Sequence, residues 1–257
     1  MSGGLAPLTL TALRGIGEVS SGSDLAALIQ TALEKGGLAL AAGDVLVIAQ
    51  KIVSKAEGRR VDLKEVIPSV RARELATLTQ KDARLVELIL AESSEVLRAR
   101  PNVLIVRHRL GFVTANAGID RSNVADTAGE EVLLLPLDPD ASAAALWRAL
   151  SARTGVAVGV IVSDSFGRPW RKGVVNIALG AAGVPALLDR RGEADRAGRR
   201  LEVTEVAIAD ALAGAAGLLM GEAAEGIPAV HIRGFSCAGP ASSAQALIRP
   251  LEEDLFR

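Results

Sequence analysis

Residues 160–173, VIVSDSFGRPWRKG, constrain this chain more than any other segment. The β-branched apolar run Val160, Ile161, Val162 reads as a buried strand. It passes directly into Ser163, Asp164 and Ser165, then into Gly167, Arg168, Pro169 and the cationic pair Arg171 and Lys172. A buried strand that delivers an acid and a hydroxyl to a basic Gly/Pro loop can hold a divalent cation beside a phosphate. Carboxylate and hydroxyl oxygens suit Mg²⁺ or Mn²⁺. Arginine and lysine suit the phosphate oxygens that such an ion bridges. Asp and Ser also favour turns for their own backbone hydrogen bonds, so a plain capped turn at a strand end fits the segment equally well.

Composition narrows the classes. With 49% of its 257 residues apolar, the chain can bury a sizeable core, as one large domain or two small ones. Aromatics are 2% and tyrosine is absent, so that core is built from Leu, Val, Ile and Ala. So few aromatics disfavour a stacking platform for single-stranded nucleic acid. The formal net charge of −1 disfavours a broad electrostatic footprint for DNA or RNA. The one cysteine, Cys237, allows neither an internal disulfide nor a Cys-cluster zinc site. Two histidines, His108 and His231, disfavour a histidine metal site. The N-terminus lacks a cationic region followed by a long apolar run, and no apolar run is long enough to span a bilayer. The expectation is a cytoplasmic protein without nucleic-acid or membrane partners.

Periodicity predicts a helix over 23–34 with a Ser/Asp start, a strand over 44–49, and a Gly-ended turn through 50–59. Residues 72–97 read as helical, 103–106 as a strand and 110–113 as another. Residues 138–153 form a strongly signalled helix, with Pro139 and Asp140 near its start. The strand at 156–162 feeds the opening segment. Residues 176–183 are small and apolar, suited to a close-packed helix or turn, and 189–200 to a mobile surface loop. A helix over 206–220 stops at Gly221, and a strand follows at 229–232. Strands and helices alternate, but without the spacing of a doubly wound sheet. Neither GxGxxG nor GxxxxGK[ST] is present.

Four further segments deliver polar groups to Gly-containing loops: LRGIGEV (13–19), QKIVSKAEGR (50–59), GIDRSNV (118–124) and MGEAAEGIP (220–228). Each alone is weak. A lysine pair such as Lys51 and Lys55 is commonly a solvated face, and an acid in a turn commonly an Asx turn. His108, between Arg107 and Arg109, reads as a surface residue, and Cys237 as inert filler without a His or Asp partner. No GxSxG elbow supports a serine hydrolase. Taken together, oxygen-only ligands, several cations and no nucleophile point to phosphoryl chemistry, in which the protein mainly positions reactants and offsets charge.

The chain resembles the coenzyme F420-0:L-glutamate ligase family, the glutamyl ligases of deazaflavin coenzyme synthesis. The resemblance rests on IVSKAEGR (52–59), LGFVTANAGIDRSNV (110–124), LPLDPDASA (135–143), VIVSDSFGRPWRKG (160–173), ALGAAG (178–183), VTEVAIAD (203–210) and MGEAAEGIP (220–228), in family order. It implies an α+β, mixed-sheet fold particular to the family, with two interlocked subdomains, in a homodimer. It covers residues 1–257 as a single ligase domain, without the C-terminal nitroreductase-like domain of some relatives.

The resemblance also implies GTP, L-glutamate and the deazaflavin precursor as substrates, two Mg²⁺ or Mn²⁺ sites, and a monovalent cation such as K⁺. Asp120 and Asp164 match metal ligands, with Ser165 and Glu222 near a second metal, and Asp120, Asp164 and Lys55 match catalytic positions. Nucleotide contacts fall on Ile16, Gly17, Glu18, Val19, Gln50, Lys55 and Asn123. They also fall on the loop Met220, Gly221, Glu222, Ala223, Ala224, Glu225, Gly226 and Ile227. Two departures stand out: GIGE where many relatives have Leu/Ile-Pro-Glu, and Gln50 where a Ser is common. The implied reaction forms an acyl phosphate from a carboxylate and GTP, which the glutamate amine attacks. The same chemistry on another acid, and a non-catalytic nucleotide-binding role, are the alternatives.

Overall fold

A computed structural model describes residues 7–121 and 130–254. The chain runs β1 (Thr9–Ala12), α1 (Leu25–Lys35), β2 (Val45–Ala49), α2 (Gln50–Ala56), β3 (Arg60–Asp62), α3 (Val70–Thr79), α4 (Ala83–Ala91), β4 (Ser93–Arg100), β5 (Val103–His108) and β6 (Val113–Ala115). It continues through β7 (Glu131–Leu133), α5 (Pro139–Thr154), β8 (Gly159–Arg168), β9 (Arg171–Ala182), β10 (Leu187–Asp189), β11 (Glu205–Ala207), α6 (Ile208–Met220) and β12 (Ala229–Arg233).

Five strands form the central mixed sheet, in the order β1-β12-β2-β8-β9. Its parallel pair is β2 and β8; the other neighbours run antiparallel. Alternation along β8 sends side chains to two helical layers. Val160 and Val162 join Ile29, Leu46, Ile48 and Leu150 beneath α1 and α5. Ile161 joins Val45, Val47, Ala209, Ala213 and Ala216 beneath α6. A second core gathers Leu63, Ala72, Ala76, Val86, Ile89, Leu104, Val106 and Val132, where α3 and α4 pack on the antiparallel β4-β5-β6 sheet and the β3-β7 ribbon. The architecture is mixed α+β, as expected. No helix among the described residues is long and apolar enough to cross a membrane.

Several expected elements differ. The helix foreseen over 72–97 breaks at Gln80, which caps α3 in a left-handed conformation (φ 55°). It restarts when Asp82 accepts the Arg84 backbone N–H, and gives way to β4. The last segment is a strand because β5, the next segment along the chain, folds back to pair with it antiparallel from Ser93–His108 to Arg100–Val103. Residues 110–112 are a turn through Gly111 (φ 100°), and the foreseen strand begins only at Val113, as β6. Residues 176–183 are neither helix nor turn but the inner half of β9. Their small size answers crowding by α5 and α6, since a Cβ on Gly180 would stand 2.0 Å from the Pro139 carbonyl oxygen. Residues 189–200 lie on the surface, as expected, with Arg191 paired to Asp189 at 2.7 Å and Arg190 to Glu193 at 2.6 Å.

Two acids, the buried Asp44 and the partly buried Glu92, staple the layers. Asp44, at the head of β2, meets His231 Nε2 at 2.8 Å and Arg233 at 2.6 Å, both from β12. Burial pushes its carboxyl up, but the hydrogen bonds from Arg233 and His231 outweigh it and hold it at about 2. His108 is fully buried rather than on the surface, stacked on Phe112 and 3.5 Å from Glu92. The same acid takes Arg59 and Arg109 at 3.0 and 3.2 Å. Its carboxyl, raised by burial and lowered further by these partners, also lies at about 2.

Carboxyls lowered by folding stabilise the native state above their unfolded pKa and lose that contribution on acidification. For Asp44, a drop from 3.8 to about 2 corresponds to about 2 kcal/mol, present above pH 4 and lost between pH 4 and 2. Urea unfolding across that range checks it, and Asp44→Asn is expected to flatten this limb of the curve. An unchanged slope in the variant counts against the staple.

Candidate active site

The parallel ladder between β2 and β8 ends where Ala49 stands opposite Ser163, at the carboxyl end of β2. The carboxyl ends of neighbouring parallel strands are where such sheets leave a crevice, and the chemistry collects there. The next residue on one strand is Gln50, which opens α2; on the other it is Asp164, because β8 does not stop at 162. The foreseen Gly/Pro loop is the far end of a β-hairpin, since β9 pairs with β8 as far as Arg168–Arg171. Likewise 50–56 is a helix, not a turn.

A cavity of 470 Å³ opens at this edge. Ala49, Ser163, Asp164, Ser165 and Asn176 line it from the sheet, and Lys51, Ile52 and Lys55 from α2. Ile16 contributes from the segment before α1. Met220, Gly221, Glu222, Ala223, Ala224, Gly226, Ile227 and Pro228 close it from the end of α6 onward. Gly221 (φ 71°) turns the chain out of α6 into that loop. Glu225 then accepts the Ala223 backbone N–H at 2.8 Å, and Pro228 accepts the Ala49 N–H at 2.8 Å, fixing the loop to β2. Met220 Sδ receives the Asn176 amide at 3.6 Å beneath the floor.

Asp120 arrives from the second packing unit, 44 residues before Asp164 in sequence. Reciprocal backbone hydrogen bonds with Leu133, at 2.9 and 2.8 Å, hold it in place. Its Oδ2 meets Lys51 Nζ at 2.6 Å. The Asp164 carboxyl is pushed up to about 7, chiefly by burial and further by Asp120. The Ser165 N–H, the Lys51 charge and a hydrogen bond from Gln50 oppose the rise. Gln50 is itself buried and accepts the Ser54 hydroxyl at 2.8 Å. A buried carboxyl within the field of a second carboxylate ionises readily only with positive charge nearby. Lys51 supplies part of it.

The donor set of carboxylate and hydroxyl oxygens, Asp120, Asp164 and Ser165, fits a hard divalent ion. No cluster of three or more His, Cys, Asp or Glu side chains in metal-binding arrangement occurs among the described residues. Lys55 is lowered, first by its burial and then by Arg60. Glu18 and Asp120 act the other way. A half-buried lysine crowded by cations favours an anionic occupant.

Sequence reading and structure can be compared residue by residue. Ile16, Lys55, Asp164, Ser165, Met220, Gly221, Glu222, Ala223, Ala224, Gly226 and Ile227 line the one cavity. Gln50 and Asp120 stand behind it, in contact with Asp164 or Lys51. Gly17 and Glu18 are exposed beside Ile16, Val19 is buried in the core beneath α1, and Glu225 braces the loop. Asn123 lies outside the described residues. Sequence reasoning gave no site role to Lys51, Ser163, Asn176 or Pro228. Lys51 was legible: on a helix, Lys51 and Lys55 share a face at i,i+4, and only the reading of 50–59 as a turn hid it.

Comparison with known proteins shows the family. The sequence model of the family described as F420-0:Gamma-glutamyl ligase matches residues 15–234. A coenzyme F420:L-glutamate ligase of Methanothermobacter thermautotrophicus is 48% identical over 252 residues, covering 97% of this chain and 99% of the relative. Enzymes of the same name from Methanopyrus kandleri and Archaeoglobus fulgidus are 47% and 45% identical, over 99% and 95% of this chain and 100% and 94% of their own lengths. This chain belongs to the F420-0:gamma-glutamyl ligase family.

Proposed function

We propose that this protein is a GTP- and divalent-cation-dependent ligase that joins L-glutamate to the carboxyl group of the deazaflavin precursor coenzyme F420-0. The observation that carries the reading is the meeting of Asp164, Asp120, Lys51 and Lys55 around one cavity at the ends of β2 and β8. The relatives' name supplies the substrates.

A carboxylate is a poor acyl donor because its leaving group would be oxide. Transfer of the γ-phosphoryl group of GTP to a carboxylate oxygen gives GDP and an acyl phosphate. The neutral glutamate amine then attacks the carbonyl carbon. The C–O bond to phosphate breaks, inorganic phosphate leaves, and the amide nitrogen sheds a proton. Asp120, Asp164, Ser165 and Glu222 would hold Mg²⁺ or Mn²⁺, which when bound neutralises charge on phosphate oxygens. Lys55 and Lys51 bring fixed positive charge toward the same phosphates. The loop from Gly221 to Pro228 covers the nucleotide and excludes water. The protein works as a homodimer, and light scattering at micromolar concentration tests that state.

The direct test is product mass. GTP, L-glutamate, Mg²⁺ or Mn²⁺ and the deazaflavin precursor are expected to yield one or more glutamyl increments together with GDP. Turnover with a different acid in place of the precursor would move the reading to a related ligase. GTP binding without acid-dependent hydrolysis would reduce it to a nucleotide-binding protein.

Lys55→Ala is expected to weaken binding of a non-hydrolysable GTP analogue about tenfold to hundredfold. A charge-assisted contact to phosphate contributes roughly 1.5–3 kcal/mol, while thermal stability stays within about 0.5 kcal/mol, as for other surface changes. Calorimetric titration measures the first and thermal melting the second. An unchanged dissociation constant would return Lys55 to a solvated face.

A further inference from the structure

The tip of the β8–β9 hairpin is used by nothing in the reaction described so far. Trp170 is 89% exposed there, in a chain with two tryptophans, four phenylalanines and no tyrosine. It sits in the left-handed region (φ 65°) that a bulky residue rarely adopts. Arg168, Arg171 and Lys172 surround it, all exposed, and none forms an ion pair among the described residues. Arg168 Nη2 donates to the Lys172 carbonyl at 3.3 Å, closing the tip. From Ser165 to Leu188 the sequence contains no Asp or Glu. The tip therefore offers a flat apolar ring within uncompensated positive charge. It projects along the same strand that carries Asp164, with Arg168 about 13 Å further on at the usual rise per strand residue.

We propose that this tip grips the far end of the acid acceptor, with Trp170 stacking on its flat aromatic ring and Arg168, Arg171 and Lys172 facing its anionic group. The inference rests on the ligase reading above, since that reading supplies an acceptor with a ring at one end and a reacting carboxylate at the other. An exposed ring among unpaired cations is complementary to an aromatic anion in both shape and charge. The carboxylate would then lie at Asp164 while the ring is held outside the cavity, which the nucleotide fills. A second copy of this chain is the other occupant an exposed tryptophan can have, and the experiment separates the two.

Initial rates are measured for the full chain and for Trp170→Ala and Trp170→Phe, varying acceptor, GTP and L-glutamate in turn. Trp170→Ala is expected to raise the acceptor KM about tenfold or more, the scale of a lost stacking contact. The KM values for GTP and glutamate should stay within about twofold, and Trp170→Phe should recover most of the loss. A joint Arg171→Ala, Lys172→Ala variant should raise the same KM. In parallel, a Trp147→Phe variant leaves Trp170 as the single indole, and its fluorescence is titrated with the deazaflavin precursor and, separately, with flavin mononucleotide as a simpler aromatic phosphate. Quenching that saturates without GTP supports the clamp. An unchanged acceptor KM in Trp170→Ala overturns it and leaves the ligase reading standing. A shift from dimer to monomer on light scattering overturns it in favour of an interface between copies. Absence of turnover in the unsubstituted protein would instead remove the ligase reading, and a lack of quenching alongside it would remove the clamp too.

Discussion

Asp164→Asn is expected to abolish amide formation while the protein folds and melts as before. The side chain keeps its size and one acceptor oxygen but loses the charge that would anchor a cation beside Asp120. Losing one preorganised charge-stabilising group at a phosphoryl-transfer centre costs about 10²–10³ in rate, and loss of a metal ligand adds to that. Stability should not fall. Burial already pushes this carboxyl up to about 7, mainly by desolvation and with help from Asp120, so folding gains nothing from its charge. The measurements are initial rates across a Mg²⁺ and Mn²⁺ titration, and the melting temperature of each protein. Near-normal turnover with the same metal dependence would remove Asp164 from the centre. A collapse in melting temperature would make it a structural residue instead.

Gly180→Ala is expected to give the largest loss of stability. The added methyl would lie 2.0 Å from the Pro139 oxygen, 2.2 Å from its carbonyl carbon and 2.8 Å from the Asp140 nitrogen. All three are backbone atoms at the start of α5, so no side chain can swing aside. The first turn of α5 must move off the sheet. Asp140 would be carried with it, and its carboxylate accepts the backbone N–H of Ala181 at 2.8 Å and of Ala244 at 2.7 Å. Overpacking costs up to about 3 kcal/mol when neighbours can adjust, and here they cannot without breaking these bonds. A cost of about 3 kcal/mol or more lowers the melting temperature by roughly 6–12 °C in a chain of this size. Gly167→Ala, where nothing lies within 4 Å, is the control and should change little. Equal melting of the two variants would show that α5 is free to shift.

Much of the local structure was legible. The Asp24 and Asp138 caps, the Gly155 stop and the apolar runs at 45–49 and 159–162 are short-range signals, and the helices and strands they mark formed. The errors share one cause. Residues 93–100 and 176–182 carry sequences that suit a helix or a tight turn, and each became a strand because the adjacent strand folds back and pairs with its backbone. Local propensity is small beside a full ladder. His108 was misjudged for a related reason. Two flanking arginines made it look solvated, but both are held in ion pairs with acids, while the imidazole turns inward against Phe112.

The candidate site divides the same way. The sequence by itself determined which residue types were available: an acid and hydroxyls after a buried strand, lysines after another, a Gly-punctuated acidic loop after a helix. These are properties of short segments, because a strand's end and a helix's cap are set by neighbours a few residues away. Only the tertiary structure decided that β2 and β8 run parallel with Ala49 opposite Ser163, so that Gln50 meets Asp164. It also brought Asp120 from another packing unit to Lys51 through the backbone bonds with Leu133. Desolvation and the field of one carboxylate on another depend on distances in space. No spacing along the chain encodes the carboxyl of Asp164 being driven up to about 7.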